Sequence, residues 1–154
     1  AFYVDYIAMS YAIDTSFYYT LIREFARDSH YNLIHINHGL HGIHVSREVY
    51  EERMRELLSE LRTTGAAPIL ATTTVAYEEK SENLSAAWTP RISERNEVLR
   101  ALAEELSLPI DDLYRVSLAI PMSDRSPDGI HYTATGFHTL AENVVKSIKT
   151  AWKK

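Results

Sequence analysis

The sequence predicts an α/β domain of the three-layer α/β/α sandwich class, with a mostly parallel sheet of four or five strands. Two observations predict this fold class. Short apolar runs alternate with longer segments along the whole chain, and the longer segments repeat apolar residues at the 3.6-residue spacing of a helix. Helices of this length between strands imply parallel pairing, and the chain suffices for a single domain over residues 1–154.

The chain begins with a predicted strand and a predicted helix. Residues 1–8 are apolar and aromatic, which is typical of a buried strand. Asp14 or Thr15 can cap a helix, and the segment from there to about Arg27 has a single apolar stripe. This segment therefore predicts the first helix.

The middle of the chain repeats the alternation. Residues 32–37 predict a second strand, which ends before a glycine-containing stretch. Ser46 caps a charged helix that extends to about Arg62, with its leucines on one face. Residues 68–74 predict a third strand, which ends in three threonines.

The last part of the chain completes the pattern. A polar stretch at 76–91 predicts a loop, residues 93–106 a helix, and residues 109–114 a short strand with a turn. Thr133 or Thr135 then opens the most amphipathic helix of the sequence. Its apolar stripe comprises Phe137, Leu140, Ala141, Val144, Val145, Ile148 and Trp152.

The composition excludes several classes of function. A formal net charge of −5 without a lysine or arginine cluster argues against a nucleic-acid partner. No apolar run reaches membrane-spanning length, so we expect a soluble chain with no membrane partner. The absence of cysteine excludes disulfides, thiolate nucleophiles and Cys-ligated zinc. The chain starts at Ala1 without a methionine or signal peptide, so we expect a processed or trimmed product, and the compartment stays open.

A run of histidines suggests a metal site, but their arrangement argues against one. On an extended strand His35 and His38 face opposite sides, and the segment has no carboxylates at its centre. We therefore expect no metal, with His35 packed against a helix and His44 solvated. The five histidines of the run are His30, His35, His38, His41 and His44.

An acid–imidazole pair precedes the last helix. Asp128 and His131 lie three positions apart on a predicted loop, so both side chains can face one point. The aspartate can fix the histidine tautomer while the histidine moves a proton, which is the second half of a serine-hydrolase triad.

Polar residues also follow the second predicted strand. Gly39 allows a backbone N–H to approach a ligand closely, and Asn37 or His41 can supply a second donor. Two such donors are what a developing oxyanion requires. The alternative is a glycine turn capped by the same polar residues.

Together these motifs resemble those of the SGNH/GDSL hydrolase family. The final block of that family is an Asp-x-x-His before the terminal helix, as at Asp128 and His131. Its third block is a strand followed by Gly-x-Asn; here residues 39–41 read Gly-Leu-His after the strand at 34–37, as in a branch that cleaves carbohydrate esters. Residues 69–74 lie where that branch has its fourth strand.

The resemblance implies a flavodoxin-like sandwich and roles for single residues. His131 is the expected general base, Asp128 its orienting partner, and the Gly39 N–H an oxyanion donor. His41 occupies the family's asparagine donor position, and Asn37 is the alternative donor. The implied reaction is hydrolysis of a small, acetyl-like ester through an acyl-serine, without a cofactor, and acylated carbohydrates are among the implied substrates.

The expected nucleophile is missing from the sequence. The family has it in a Gly-Asp-Ser block at the end of the first strand, and this chain contains no Gly-Asp-Ser. In one interpretation residues 1–8 are the family's second strand, and the serine-bearing strand lies upstream of Ala1. In the other, residues 4–8 are a first block that has lost its glycine and serine. We favour the first, and so an N-terminally incomplete domain.

Two further expectations concern partners. Without a nucleophile the chain is alternatively a binding module, or pseudoenzyme, that recognises an ester or a sugar. An uncovered strand edge would favour a homo-oligomer. Trp88 is a candidate for stacking on a sugar ring, and Arg91 and Arg95 are candidates for binding an acidic group.

Overall fold

The computed structural model describes residues 3–28 and 30–152. Its strands are β1 Leu33–Ile36, β2 Ala67–Ala71 and β3 Ile110–Asp111. Its helices are α1 Ser16–Asp28, α2 Arg47–Thr63, α3 Thr89–Glu105, α4 Leu113–Leu118 and α5 Ala134–Trp152, with a 3₁₀ turn at Met122–Asp124 between the last two.

The strands form a parallel sheet in the order β1-β2-β3, with a helix between each pair of strands. Leu70 packs into a core with α1, α2 and α3, whereas its neighbour Ala71 packs into a second core with α5. Because successive strand residues face opposite sides of a sheet, helices cover both faces. The predicted α/β sandwich is confirmed, with three strands within the described residues instead of four or five.

The first predicted strand is wrong as far as the structure describes it. Residues 1 and 2 lie outside the described residues, and residues 3–8 are irregular. Tyr3, Val4 and Tyr6 are 78–86% exposed. A strand requires a ladder partner, and none of the described strands pairs with this segment. An apolar run indicates that a segment is suited to burial, but it does not supply the neighbour.

The start of α2 agrees with its predicted cap, whereas the start of α3 and the end of β3 differ from the prediction. The Ser46 side chain caps α2 as predicted. By contrast α3 begins at Thr89, earlier than the predicted residue 93, because Pro90 occupies its first turn, where a missing N–H costs nothing. The strand predicted at 109–114 shortens to β3, because the Asp112 side chain caps α4 immediately afterwards.

The last helix is only partly covered. α5 contacts all three strands, and Leu140 is buried on this face. Phe137, Val145 and Trp152, which belong to the same predicted stripe, are each about half exposed. The stripe is thus wider than the sheet that the described strands provide. No helix in 3–28 and 30–152 combines the length and apolarity that crossing a bilayer requires.

Candidate active site

The segment that follows β2, residues 72–77, is fixed by buried side chains. The Asn96 Oδ1 accepts a hydrogen bond from the Thr73 N–H at 2.8 Å, and its Nδ2 donates to the Thr73 carbonyl at 3.0 Å. The Ser117 Oγ accepts from the Val75 N–H at 3.0 Å. Asn96 and Ser117 are almost fully buried, so they satisfy backbone groups that a neighbouring strand would otherwise satisfy.

The glycine turn after β1 lies against this segment. The Thr73 hydroxyl donates to the Gly39 carbonyl at 3.1 Å, and the Asn37 Nδ2 donates to the Thr72 carbonyl at 3.0 Å. The Asn37 Oδ1 accepts from the Gly39 N–H at 2.9 Å. His41 is exposed on the same turn. These contacts are those of a capped glycine turn, the alternative interpretation of this stretch.

The oxyanion role of the turn therefore stays a prediction, and it requires the Gly39 N–H to change its hydrogen-bond partner. The Gly39 N–H already has a partner in Asn37, and the amide nitrogen of Asn37 already donates to the β2 segment. An oxyanion at Gly39 would have to displace the Asn37 carbonyl oxygen. His41, which is exposed on the same turn, is the remaining predicted donor.

The predicted acid–imidazole pair forms. The Asp128 Oδ2 lies 2.6 Å from the His131 Nδ1, and its Oδ1 accepts from the N–H groups of Ile130 and His131 at 2.8 and 2.9 Å. Hydrogen bonds from His131 and Ile130 hold the pKa of Asp128 far below its usual range. A negative Asp128 keeps the proton of a neutral imidazole on Nδ1, which leaves Nε2 as the acceptor.

The loop that contains Asp128 and His131 is hydrogen-bonded to Tyr77. The Tyr77 N–H donates to the Gly129 carbonyl at 2.8 Å, and the Lys80 N–H donates to the Pro127 carbonyl at 3.2 Å. Gly129 has a φ of +74°, and a Cβ at this position would collide with the Tyr77 carbonyl oxygen. Only glycine fits this turn, because it tolerates both the positive φ and the close approach.

Both predicted halves of the site thus contact the same segment. The glycine turn is bonded to Thr73 and the acid–imidazole loop to Tyr77. Thr73 and Tyr77 are four positions apart, so their Cα atoms lie at most about 14 Å from each other. This segment leaves the carboxyl end of β2, the edge where parallel sheets place their ligands. The structure therefore connects both motifs to the segment at this edge of the sheet.

A separate cluster surrounds His38 beneath the glycine turn. The His38 Nε2 lies 2.5 Å from the Tyr18 hydroxyl of α1, and the imidazole also contacts the Tyr50 ring of α2. Burial, with a contribution from the positive charge of Arg95, lowers the pKa of His38 from 6.5 to about 4. His38 is therefore neutral at neutral pH and shares a hydrogen bond with the Tyr18 hydroxyl.

The position of Arg95 contradicts its predicted role. Arg95 is 3% exposed, and its guanidinium carbon lies 4.1 Å from the centroid of the Tyr50 ring. It donates to the carbonyls of Gly42 and Ser46 at 3.0 and 3.4 Å, and to that of Val45. Arg95 thus holds the loop between β1 and α2, and it is not available to an acidic substrate group.

The histidine run does not converge. His35 lies on the other face, where its Nε2 is 2.9 Å from the buried Asp111 Oδ2, and Asn143 of α5 donates to Asp111 Oδ1 at 2.5 Å. His35 thus packs beneath a helix, as predicted, and His44 is exposed. In the part of the chain that the structure describes, no three His, Asp or Glu side chains are grouped as metal ligands.

The low pKa of His38 predicts a loss of stability in mild acid. Between pH 6.5 and 4 the unfolded chain binds this proton and the folded chain does not, so the free energy of unfolding falls as the pH falls. We expect a loss of about 2 kcal/mol between about pH 8 and about pH 5. Urea unfolding of the wild type, His38→Gln and the exposed-histidine control His44→Gln measures it. A pH slope in His38→Gln as steep as in the other two would contradict the prediction.

Comparison with known proteins agrees with this architecture. No protein-family model matches the sequence, and no curated protein matches it significantly. Among solved structures, a GDSL-like lipase from Bacteroides thetaiotaomicron has a TM-score of 0.71 at 15% identity and covers 92% of this chain. An acetylxylan esterase from Geobacillus stearothermophilus has a TM-score of 0.69 at 16% identity and covers 90%. A lipase/acylhydrolase from Enterococcus faecalis has a TM-score of 0.56 at 23% identity and covers 70%.

The matched proteins are longer than this chain. It spans 53% of the Enterococcus protein, 73% of the Bacteroides protein and 68% of the Geobacillus protein. At these identities the likeness concerns the fold. The chain therefore has the fold of the GDSL-type hydrolases, as the resemblance of its motifs predicts.

Proposed function

We propose that this chain belongs to an SGNH-type serine esterase that hydrolyses small, acetyl-like esters, with acylated carbohydrates among its substrates. The proposal rests above all on one observation: the Asp128 carboxylate holds the Nδ1 of an imidazole whose side chain is 68% exposed. The hydrolases that share the fold, which include an acetylxylan esterase, support this class of reaction.

In the proposed reaction, the His131 Nε2 takes the serine proton as the serine oxygen attacks the ester carbonyl. The tetrahedral intermediate collapses to an acyl-serine, and His131 returns the proton to the leaving alcohol. Water then attacks the acyl-serine by the same route. Asp128 stabilises the imidazolium at each stage, and Gly39 with Asn37 or His41 binds the oxyanion. The reaction needs no cofactor.

The nucleophilic serine, in this proposal, lies upstream of Ala1 on a strand that pairs with the free edge of β1. Two observations support a further strand at this position. β1 is hydrogen-bonded to β2 alone among the described strands. The α5 helix, which packs over the sheet, has Phe137 and Val145 half exposed. For the isolated chain, the same edge supports the predicted homo-oligomer, because an unpaired strand edge favours association.

A binding module without catalysis is the second candidate. Two observations favour it: none of the 154 residues forms a Gly-Asp-Ser block, and the Gly39 N–H is already engaged by Asn37. Such a protein would keep the fold and recognise an ester or a sugar without cleaving it.

The product of the encoding gene distinguishes the two candidates. We expect it to hydrolyse p-nitrophenyl acetate and to react once with a fluorophosphonate, with the adduct located by mass spectrometry on a serine upstream of Ala1. A gene product that begins near Ala1, gives no adduct and leaves the ester intact would overturn the esterase proposal. Binding of an acetylated sugar by that product, measured by calorimetry, would then support the binding module.

A further inference from the structure

Arg125 is fixed against Tyr77 beside the acid–imidazole loop. Its guanidinium carbon lies 3.6 Å from the centroid of the Tyr77 ring. Its Nε and Nη2 both donate to the Ile120 carbonyl, at 2.9 and 2.6 Å. Two donors on one carbonyl restrict rotation of the guanidinium plane, and the stacked plane in turn restricts the ring.

Both stacked residues are bonded directly to the loop. The backbone of Arg125 forms an antiparallel bridge with Tyr132, the residue after His131. The Tyr77 N–H donates to the Gly129 carbonyl, inside the loop. The stack therefore links Arg125, which is paired with the end of the loop at Tyr132, to Tyr77, which is bonded to Gly129 in the middle of the loop.

The acid–imidazole pair itself has little packing. The side chains of His131 and Asp128 are 68% and 44% exposed. An exposed hydrogen-bonded pair gains little from its own contact, because solvent screens the charges and side-chain entropy opposes one geometry. The orientation of the imidazole therefore depends on the backbone of the loop as well as on the bond to Asp128.

We propose that Arg125 and Tyr77 are positioning residues, whose stack holds the Asp128 carboxylate and the His131 imidazole in place over the segment that follows β2. The catalytic meaning of this inference rests on the proposed esterase function. The geometric claim does not, because the pair exists in the folded chain without substrate.

The test uses two signals of the pair itself. One is the His131 Nδ1 proton, observed by NMR, and the other is the titration of the Asp128 carboxyl carbon. In Arg125→Ala and Tyr77→Ala we expect the Nδ1 proton signal to disappear into solvent exchange. We expect the Asp128 pKa to rise toward the value of an ordinary aspartate. Arg125→Lys keeps the charge but loses the planar fork, so it should behave like Arg125→Ala.

Three controls separate positioning from stability. Tyr77→Phe keeps the aromatic ring, so the Nδ1 proton signal and the low Asp128 pKa should both stay as in the wild type. Arg27→Ala removes an exposed arginine of α1 that pairs with Glu24, and should change neither. Leu57→Ala opens the core elsewhere, and should lower the melting temperature without moving either signal. If Arg125→Ala behaves like Leu57→Ala, the stack only stabilises the fold and the inference is wrong.

Activity provides a separate readout in the product of the encoding gene. For p-nitrophenyl acetate we expect Arg125→Ala to lower kcat about 10- to 100-fold with little change in KM, because misplacement of a catalytic group affects the chemical step. If Arg125→Ala loses the Nδ1 proton signal and raises the Asp128 pKa while the wild-type gene product has no esterase activity, the positioning claim is upheld and the proposed function is refuted. If the gene product is an active esterase and both signals are unchanged in Arg125→Ala, the proposed function is upheld and the positioning claim is refuted.

Discussion

Replacing His131 with alanine in the product of the encoding gene is expected to lower kcat/KM for p-nitrophenyl acetate by about 10²- to 10⁴-fold. In the proposed reaction the imidazole is the base that takes the serine proton, and Asp128 Oδ2 lies 2.6 Å from its Nδ1, which leaves Nε2 as the acceptor. If the proposed reaction holds, removing the imidazole leaves the serine hydroxyl without an acceptor for its proton at neutral pH. Initial rates over a range of substrate concentrations give the ratio.

His138 provides the matched control for this measurement. It lies on α5 as an exposed histidine 3.5 Å from Glu142. His138→Ala removes the same chemical group from the surface, so it also corrects for hydrolysis of the activated ester by any exposed imidazole. We expect its rate to equal that of the wild type. An equal rate in His131→Ala would show that the Asp128–His131 pair is not the catalytic one.

Replacing Gly129 with alanine is expected to lower the free energy of unfolding by about 2–4 kcal/mol. Two effects combine at this position. The φ of +74° is unfavourable for a residue with a Cβ, and that Cβ would collide with the Tyr77 carbonyl oxygen. The carbonyl oxygen is part of the backbone and the Cβ is bonded directly to it, so no side-chain rotation can separate the two atoms. The loop must move, and esterase activity should fall with it.

Gly65 provides a control that separates the backbone cost of a positive φ from the cost of the collision. Its φ is +83°, and a Cβ there would have no heavy atom within 4 Å. Gly65→Ala therefore has the backbone cost alone, about 1 kcal/mol, and leaves the site intact. Urea unfolding of both variants gives the difference, which measures the collision with Tyr77. Equal losses in the two variants would mean that the Gly129 loop is not held against Tyr77.

Local signals in the sequence were sufficient for several features. The cap of α2 at Ser46 depends on neighbouring residues alone, as does the geometry of the Asp128–His131 pair, whose partners are three positions apart. The Gly39 turn likewise depends on neighbouring residues, because it follows β1 directly in the sequence. Each of these features forms within one turn or one loop, so the order of residue types is enough to predict it.

Features that join distant parts of the chain could not be predicted. Asn96 is 23 positions from the Thr73 backbone that it satisfies, and Arg125 is 48 positions from Tyr77. Arg95 has the sequence pattern of a surface cation, yet it is buried beneath the loop that it holds.

The contrast between residues 3–8 and the terminal helix shows what each level of information determined. Residue order alone predicts which faces are apolar, where helices are capped, and that an aspartate and a histidine share one loop. Which apolar faces have a partner became evident from the three-dimensional fold: none of the described strands pairs with residues 3–8, and α5 is half covered. Hydrophobic pattern and capping are properties of one segment, whereas burial and ladder pairing are properties of two segments that meet.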